Sequence, residues 1–211
     1  MSPTRFGREF VGDPQFVFDL REGREPRRDT REKVIAAMAA FVPEAVAKPL
    51  RLGIAGLGTV GGALVGMLQT CADDLVRKHG RRIEVVAVAA RSRSRQRGFD
   101  VSRYEWHDNP VDLAKSRNID LFVELIGGED GPAYAAVRAA LEAGKPVVTA
   151  NKALLAKHGV ELAALAEQRG AYIGFEAAVA GGIPVIKTLR EGLGAAKVTR
   201  VYGIMNGTCN Y

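Results

Sequence analysis

The chain is poor in the residues that build metal and disulfide frameworks. Two cysteines, Cys71 and Cys209, and three histidines, His79, His107 and His158, are scattered over 211 residues. They form no CxxC pair and no zinc-ligand spacing, so neither a structural zinc site nor a disulfide-stapled secreted fold is expected, and the thiols suit a reducing cytosol. No apolar run reaches the ~18 residues that a membrane span needs. The N-terminus lacks the apolar core of a signal peptide. It is Arg-rich, yet Glu9, Asp13, Asp19, Glu22 and Glu25 argue against a transit peptide, a class poor in acids. No internal repeat or low-complexity tract is present. What remains, at 47% hydrophobic and 26% charged residues, is an ordinary soluble composition, long enough for one domain and extra pieces. A cytoplasmic location is the expectation.

Charge is unevenly placed. The net charge is +6, and residues 77–103 carry nine basic residues against Glu84 and Asp100, so the rest of the chain is close to neutral. A basic patch can mark nucleic acid. Here no aromatic residue interleaves with the arginines before Phe99, and no helix-turn-helix pattern accompanies them. A phosphorylated small molecule fits better, with neither nucleic acid nor membrane as partner.

Texture divides the chain in three. Residues 1–48 read as an N-terminal extension. Its first 28 residues are polar, without period, and expected to be disordered and dispensable. A short helix is predicted over 29–42, where Asp29 and Glu32 have capping-box spacing and Val34, Ile35, Met38, Phe41 and Val42 fall on one stripe. Met38 would be a natural start, so residues 1–37 could derive from upstream translation. Residues 49–174 alternate strand and helix. Apolar strands are predicted at 50–55, 82–90, 119–126, 146–150 and 171–179, with helices between them, the rhythm of a doubly wound α/β domain. Residues 175–211 read as the first elements of a truncated second α+β domain, with a helix at 183–194 and a strand in "KVTRVYGIM".

The chemistry begins at Gly56-Leu57-Gly58-Thr59-Val60-Gly61. This is GxGxxG after a strand and opening a helix, the context that gives it meaning. Gly56 makes the tight turn, Gly58 lets a pyrophosphate approach the backbone, and Gly61 lets helix and strand pack closely. The pyrophosphate charge then sits at a helix N-terminus. A glycine-rich turn without ligand is the bland alternative. Cofactor choice is read at the end of the second strand, where NAD enzymes carry an acid for the ribose hydroxyl. This chain has Ala89-Ala90-Arg91-Ser92-Arg93 there and no acid. Arg91, with Arg93 second, can grip a 2′-phosphate, which points to NADP with NAD as the alternative. A solvated basic loop is the rival reading.

Beyond the glycine motif, "VELIGGEDGPAYAAVRAALEAGKPVVTANKALLA" and "FEAAVAGGIPVIKTLREGL…GIMNGTCNY" follow in order. Together these blocks closely resemble homoserine dehydrogenase, from about residue 49 to the last residue. "TANKALLA" and "GIMNGTCNY" are more specific than the glycine motif. The resemblance implies a Rossmann-type fold and interconversion of L-homoserine and L-aspartate 4-semialdehyde with NAD(P)(H), on the route to threonine and methionine. It implies that Leu57, Gly58, Thr59 and Val60 line the dinucleotide. Ile126 and Gly127 would lie toward the nicotinamide, and Lys152 would be the catalytic lysine reaching the nicotinamide and substrate. Glu176, Val179, Gly181 and Ile183 match a monovalent-cation loop for Na⁺ or K⁺, and Gly207 and Thr208 begin the substrate face.

Each role has a plainer rival. Lys152 could be an exposed helix-start lysine. Glu176, in a predicted apolar strand, could be satisfied by Lys187 or Arg190 instead of a cation. The family's acidic substrate residues and its second, proton-shuttling lysine fall beyond "NGTCNY". These 211 residues are therefore expected to bind cofactor without turnover, and the full-length enzyme is expected to be a homo-oligomer. The rival readings are another split-domain amino-acid dehydrogenase, or a non-catalytic NADP-binding or regulatory module.

Overall fold

In the computed structural model the described residues are 2–40, 47–181 and 183–203. Three helices open the chain: α1 (Pro3–Phe6), which runs into a π-helical turn at Gly7–Val11, α2 (Phe16–Arg21) and α3 (Arg28–Ala40). The α/β body follows with β1 (Ala47–Ala55), α4 (Thr59–Thr70), α5 (Ala72–His79), β2 (Arg81–Ala89), β3 (Glu105–His107) and α6 (Pro110–Lys115). It continues with β4 (Leu121–Glu124), α7 (Pro132–Glu142), β5 (Val147–Thr149), α8 (Lys152–Arg169) and β6 (Ile173–Gly174). The last described helix is α9 (Val185–Lys187), extended by a second π-helical turn at Thr188–Gly192.

The six strands form one parallel sheet in the order β3-β2-β1-β4-β5-β6. This is the doubly wound Rossmann order, with its switch point between β1 and β4. Side-chain alternation along each strand divides the core in two. Ala55, Ala89 and Phe122 join Leu113, Val137 and Leu154 on the face covered by α6, α7 and α8. Ile54, Val88 and Val123 join Val65 and Leu68 on the face covered by α4. Burying both faces is what makes each strand read as an unbroken apolar run.

Register then sets the site. Ala55 pairs with Ala89 on one side and Glu124 on the other, and Glu124 pairs with Thr149. The carboxyl ends of the four central strands are therefore level, and the loops that follow them share one rim.

Several expectations are corrected. β3 was not predicted: three residues carry too little period to stand out. The strand expected over 171–179 stops at Gly174, and Glu176–Ala178 is a 3₁₀ turn. Two helices, α4 and α5, joined at Cys71, fill the gap between the first two strands. The described residues 197–203 form no strand. Residues 3–11 and 16–21 are helical where disorder was expected. Ser2 caps the first turn through Arg5 N–H at 3.3 Å, the Phe6 and Phe10 rings lie 5.1 Å apart, and Phe16 is buried. Local caps and aromatic contacts order that segment without any helical period. The Asp29–Glu32 capping box does not form either. α3 begins one residue earlier, and Glu32 pairs with Arg28 at 3.0 Å. Ile35 and Met38 of its apolar stripe are exposed. Phe41 and Val42 lie outside the described residues.

Candidate dinucleotide site

The three motif glycines meet three different surroundings. Gly56 has φ +100°, and a Cβ there would lie 2.3 Å from the Leu125 carbonyl oxygen. A Cβ on Gly61 would lie 1.9 Å from the Gly56 carbonyl oxygen. Gly58, between them, has open space around its missing Cβ and an extended backbone that any residue adopts. The protein itself requires glycine at 56 and 61. At 58 it only leaves room. Gly58 is also the N-cap of α4 and supplies no side-chain bond, so the first-turn N–H groups keep their capacity for an anion.

That room opens into a cleft of about 560 Å³ at the strand-end rim. Gly56, Leu57 and Gly58 form one wall, Ile126, Gly127 and Gly128 another, and Arg91, Arg95 and Arg97 a third. Thr59, Val60 and Gly61 follow as the first residues of α4, with Val60 exposed. Arg93 is not among the lining residues. Its guanidinium stands 6.0 Å over the Trp106 ring, and Arg95 instead stands in the cleft wall beside Arg91.

Arg97 acts on the loop itself. It donates to the carbonyls of Ser92 at 2.7 Å, Arg95 at 2.9 Å and Leu57 at 3.4 Å, and it lies 5.7 Å over the same indole. It fastens the basic loop to the glycine loop. Trp106 is held in turn by Asp108, which accepts from its Nε1 at 2.8 Å and also lines the cleft. Arg95, Arg97 and Asp108 were missed by sequence reasoning. The signal available was the alternating Arg-x-Arg pattern over 91–97.

On the Ile126–Gly128 side of the cleft the polar core was also missed. Glu124, Thr149 and Asn151 are the buried polar residues among the described ones. Glu124 Oε1 accepts from the N–H groups of Ile126 at 2.7 Å and Gly127 at 3.0 Å, and Oε2 accepts from the Thr149 hydroxyl at 2.5 Å. Asn151 caps α8 by accepting from Leu154 N–H at 3.1 Å, and its Nδ2 donates to the Gly128 carbonyl at 2.6 Å. Lys152 is thereby set at the first position of α8. It is exposed and makes no hydrogen bond or ion pair among the described residues. It does not line the cleft; the neighbouring Asn151 reaches it only through the bond to Gly128. The loop is fastened again further on. Lys157 pairs with Glu129 at 3.1 Å and with Asp130, and His158 meets Asp130 at 2.8 Å. The Lys157 contact first, then His158, holds the Asp130 carboxyl below the usual carboxylate range.

At the proposed cation loop, Glu176 has partners different from those expected. Its two oxygens accept from the N–H groups of Ile186 at 3.1 Å and Lys187 at 3.0 Å, so it caps α9 by backbone rather than by the Lys187 or Arg190 side chains. Ala180 and Gly181 both have positive φ, and the Ile183 carbonyl accepts from Val185 N–H at 2.8 Å. Val179 ends the 3₁₀ turn. Gly207 and Thr208 lie outside the described residues.

Similarity to known proteins agrees with this geometry. The family model described as "Homoserine dehydrogenase, NAD binding domain" matches residues 56–176, and a second, "Homoserine dehydrogenase", matches 184–211. The chain belongs to the homoserine dehydrogenase family. The homoserine dehydrogenase of Pseudomonas aeruginosa is 48% identical over 164 residues, covering 78% of this chain and 37% of that protein. The crystal structure of a homoserine dehydrogenase from Thiobacillus denitrificans superposes with a TM-score of 0.61 at 44% identity, covering 70% of this chain and 34% of that one. A hyperthermophilic archaeal homoserine dehydrogenase in complex with NADPH superposes with a TM-score of 0.57 at 28% identity, over 68% and 48% of the two chains. The chain thus spans about a third of the length of the curated relatives it matches. A nicotinamide cofactor domain in a Rossmann fold follows from this membership. No described helix is long and apolar enough to cross a membrane.

Proposed function

We propose that this chain is the cofactor-binding part of an enzyme that interconverts L-homoserine and L-aspartate 4-semialdehyde, with NADP(H) preferred over NAD(H). The observation that carries the reading is the contrast among the three glycines. Gly56 and Gly61 are forced by close backbone contact, while Gly58 faces space that a pyrophosphate can fill. The preference for NADP rests on Arg91 and Arg95 in the cleft wall, with no acid at the end of β2.

NADPH bound there supplies a hydride. Within this chain, Gly58 and the first turn of α4 hold the pyrophosphate, Arg91 and Arg95 the 2′-phosphate, and Ile126 and Gly127 the nicotinamide half. Lys152, unpaired at a strand-end rim, offers its ammonium to the carbonyl oxygen on which charge develops, or passes it a proton. The substrate face begins at Gly207 and Thr208, in a second domain that starts near residue 175. Oxygen donors at Glu176, Val179, Gly181 and Ile183 suit a hard monovalent cation in kind, which would share Glu176 with the α9 N–H groups. The whole enzyme is a cytoplasmic homo-oligomer serving threonine and methionine synthesis.

Calorimetric titration of NADP⁺ and NAD⁺ into wild type and Arg91→Ala tests this. Charge-assisted phosphate contacts of ~1.5–3 kcal/mol correspond to a roughly ten- to hundredfold preference for NADP⁺, lost in the variant. Equal wild-type affinities overturn the preference, and no binding of either overturns the cofactor reading.

A further inference from the structure

Glu124 lies at the end of β4 with no solvent exposure, outside both the glycine loop and the basic loop. A buried carboxylate is strongly unfavourable unless its oxygens are hydrogen-bonded. Here the bonds close a ring. From Glu124 Oε1 the path runs through the N–H groups of Ile126 and Gly127 to the Gly128 carbonyl, which accepts from Asn151 Nδ2. It returns through Asn151 N–H, which donates to Thr149 Oγ1 at 3.0 Å, and the Thr149 hydroxyl, which donates to Glu124 Oε2. Gly127 and Gly128 have φ of +82° and +87°, so the turn between the two halves of the ring is one that glycine favours. The ring spans two strand-end loops that no covalent path joins closely: 126–128 after β4, and 150–152 after β5.

We propose that Glu124 is a positioning residue. The ring it closes with Thr149 and Asn151 keeps the Ile126–Gly128 turn and the head of α8 in one register, so that the nicotinamide half of the cofactor and Lys152 address the same point. The inference rests on the reading above, in which the nicotinamide lies along Ile126 and Gly127. Sequence register makes the coupling direct, since Glu124 and Thr149 are paired neighbours on adjacent parallel strands. A merely structural ring would support the whole cleft equally. A positioning ring acts on the nicotinamide half, because the adenine half is held by the glycine loop and by the loop that Arg97 fastens.

The test uses the full 211-residue chain and two ligands. NADPH carries both halves of the cofactor, and adenosine 2′,5′-bisphosphate carries only the adenine half with its 2′-phosphate. Thr149→Val removes the bridging hydroxyl, Thr149→Ser keeps it, and Glu124→Gln removes one acceptor. Thr149→Val and Glu124→Gln are expected to weaken NADPH by about tenfold or more, the scale of an outer-shell partner. The fluorescence of the bound nicotinamide should also move toward that of free NADPH. Bisphosphate affinity stays within about twofold, as for an independent site, and Thr149→Ser restores both NADPH readouts. Unchanged NADPH affinity in Thr149→Val overturns the inference, as does parallel weakening of both ligands. If Glu124→Gln fails to fold, the Thr149 pair decides alone. A wild type that binds neither ligand overturns the cofactor reading itself, and the inference with it.

Discussion

At the scale of single residues, the open space at Gly58 and the close contacts at Gly61 lead to opposite outcomes for the same substitution. Gly58→Ala places a methyl group where nothing in the protein stands within 4 Å. Its melting temperature is expected to stay within about 2 °C of wild type, while cofactor affinity falls by about tenfold, since the methyl occupies the pyrophosphate's path. Gly61→Ala drives a Cβ into the Gly56 carbonyl. Overpacking of this kind costs about 1–3 kcal/mol or more, and thermal melts should show it with or without cofactor. The glycine motif was legible because backbone approach alone dictates those residues. The basic loop was legible only as a loop. The Trp106 ring takes Arg93, which does not line the cleft, and also Arg97, which does, and neither contact is visible in the loop's own sequence. Glu124 carried a readable signal that went unused: an acid inside "LFVELI" poses the same burial problem as Glu176, and poses it more sharply. Its partners are backbone N–H groups and a threonine, which leave no charge pattern to find.

At the scale of elements, long periodic segments were legible and short ones only in part: β5 was placed, β6 was drawn too long and β3 was missed. β1, β2, α7 and α8 announce themselves through apolar runs, a proline at a helix start and glycine at a helix end. β3 and β6 have three and two residues, and neighbouring strands define them more than their own sequence does. One ion pair ties two of the central elements together. Arg51 on β1 donates to Asp120, just before β4, at 2.7 Å and 3.1 Å through its guanidinium and at 2.9 Å through its own backbone N–H. The guanidinium contact first holds the Asp120 carboxyl down at about 2. Because the folded-state value is depressed, the pair's contribution is complete above the unfolded value of about 3.9 and disappears as pH falls toward 2. Asp120→Asn should therefore melt below wild type at pH 6, by a few degrees at most for a half-exposed pair of about 1 kcal/mol. The gap should close on acidification through pH 4 to 2. A gap that is constant with pH would assign the effect to packing instead of charge.

At the scale of the whole molecule, the N-terminal helices and the α/β body divide the work unevenly. α1, α2 and α3 pack with the π-helical turn between the first two, and α3 leaves Ile35 and Met38 exposed. Deleting residues 2–37 is expected to leave NADPH affinity within about twofold, as befits distant sites, and to lower the melting temperature little. A large drop would show that these helices brace the sheet. In the body, the candidate cleft is lined almost entirely by loops set on a level rim, with Ala89 at the end of β2 as the strand residue among them. Arg97 makes the separation of loop from strand sharper, because two of its three carbonyl partners, Ser92 and Arg95, belong to its own loop. The stretch from Arg91 to Arg97 is thus a compact cassette, anchored outside itself at the Leu57 carbonyl and the Trp106 ring. On the proposed reading, in which this cassette holds the 2′-phosphate, the choice of coenzyme would be written in seven consecutive codons and the sheet beneath them could stay as it is.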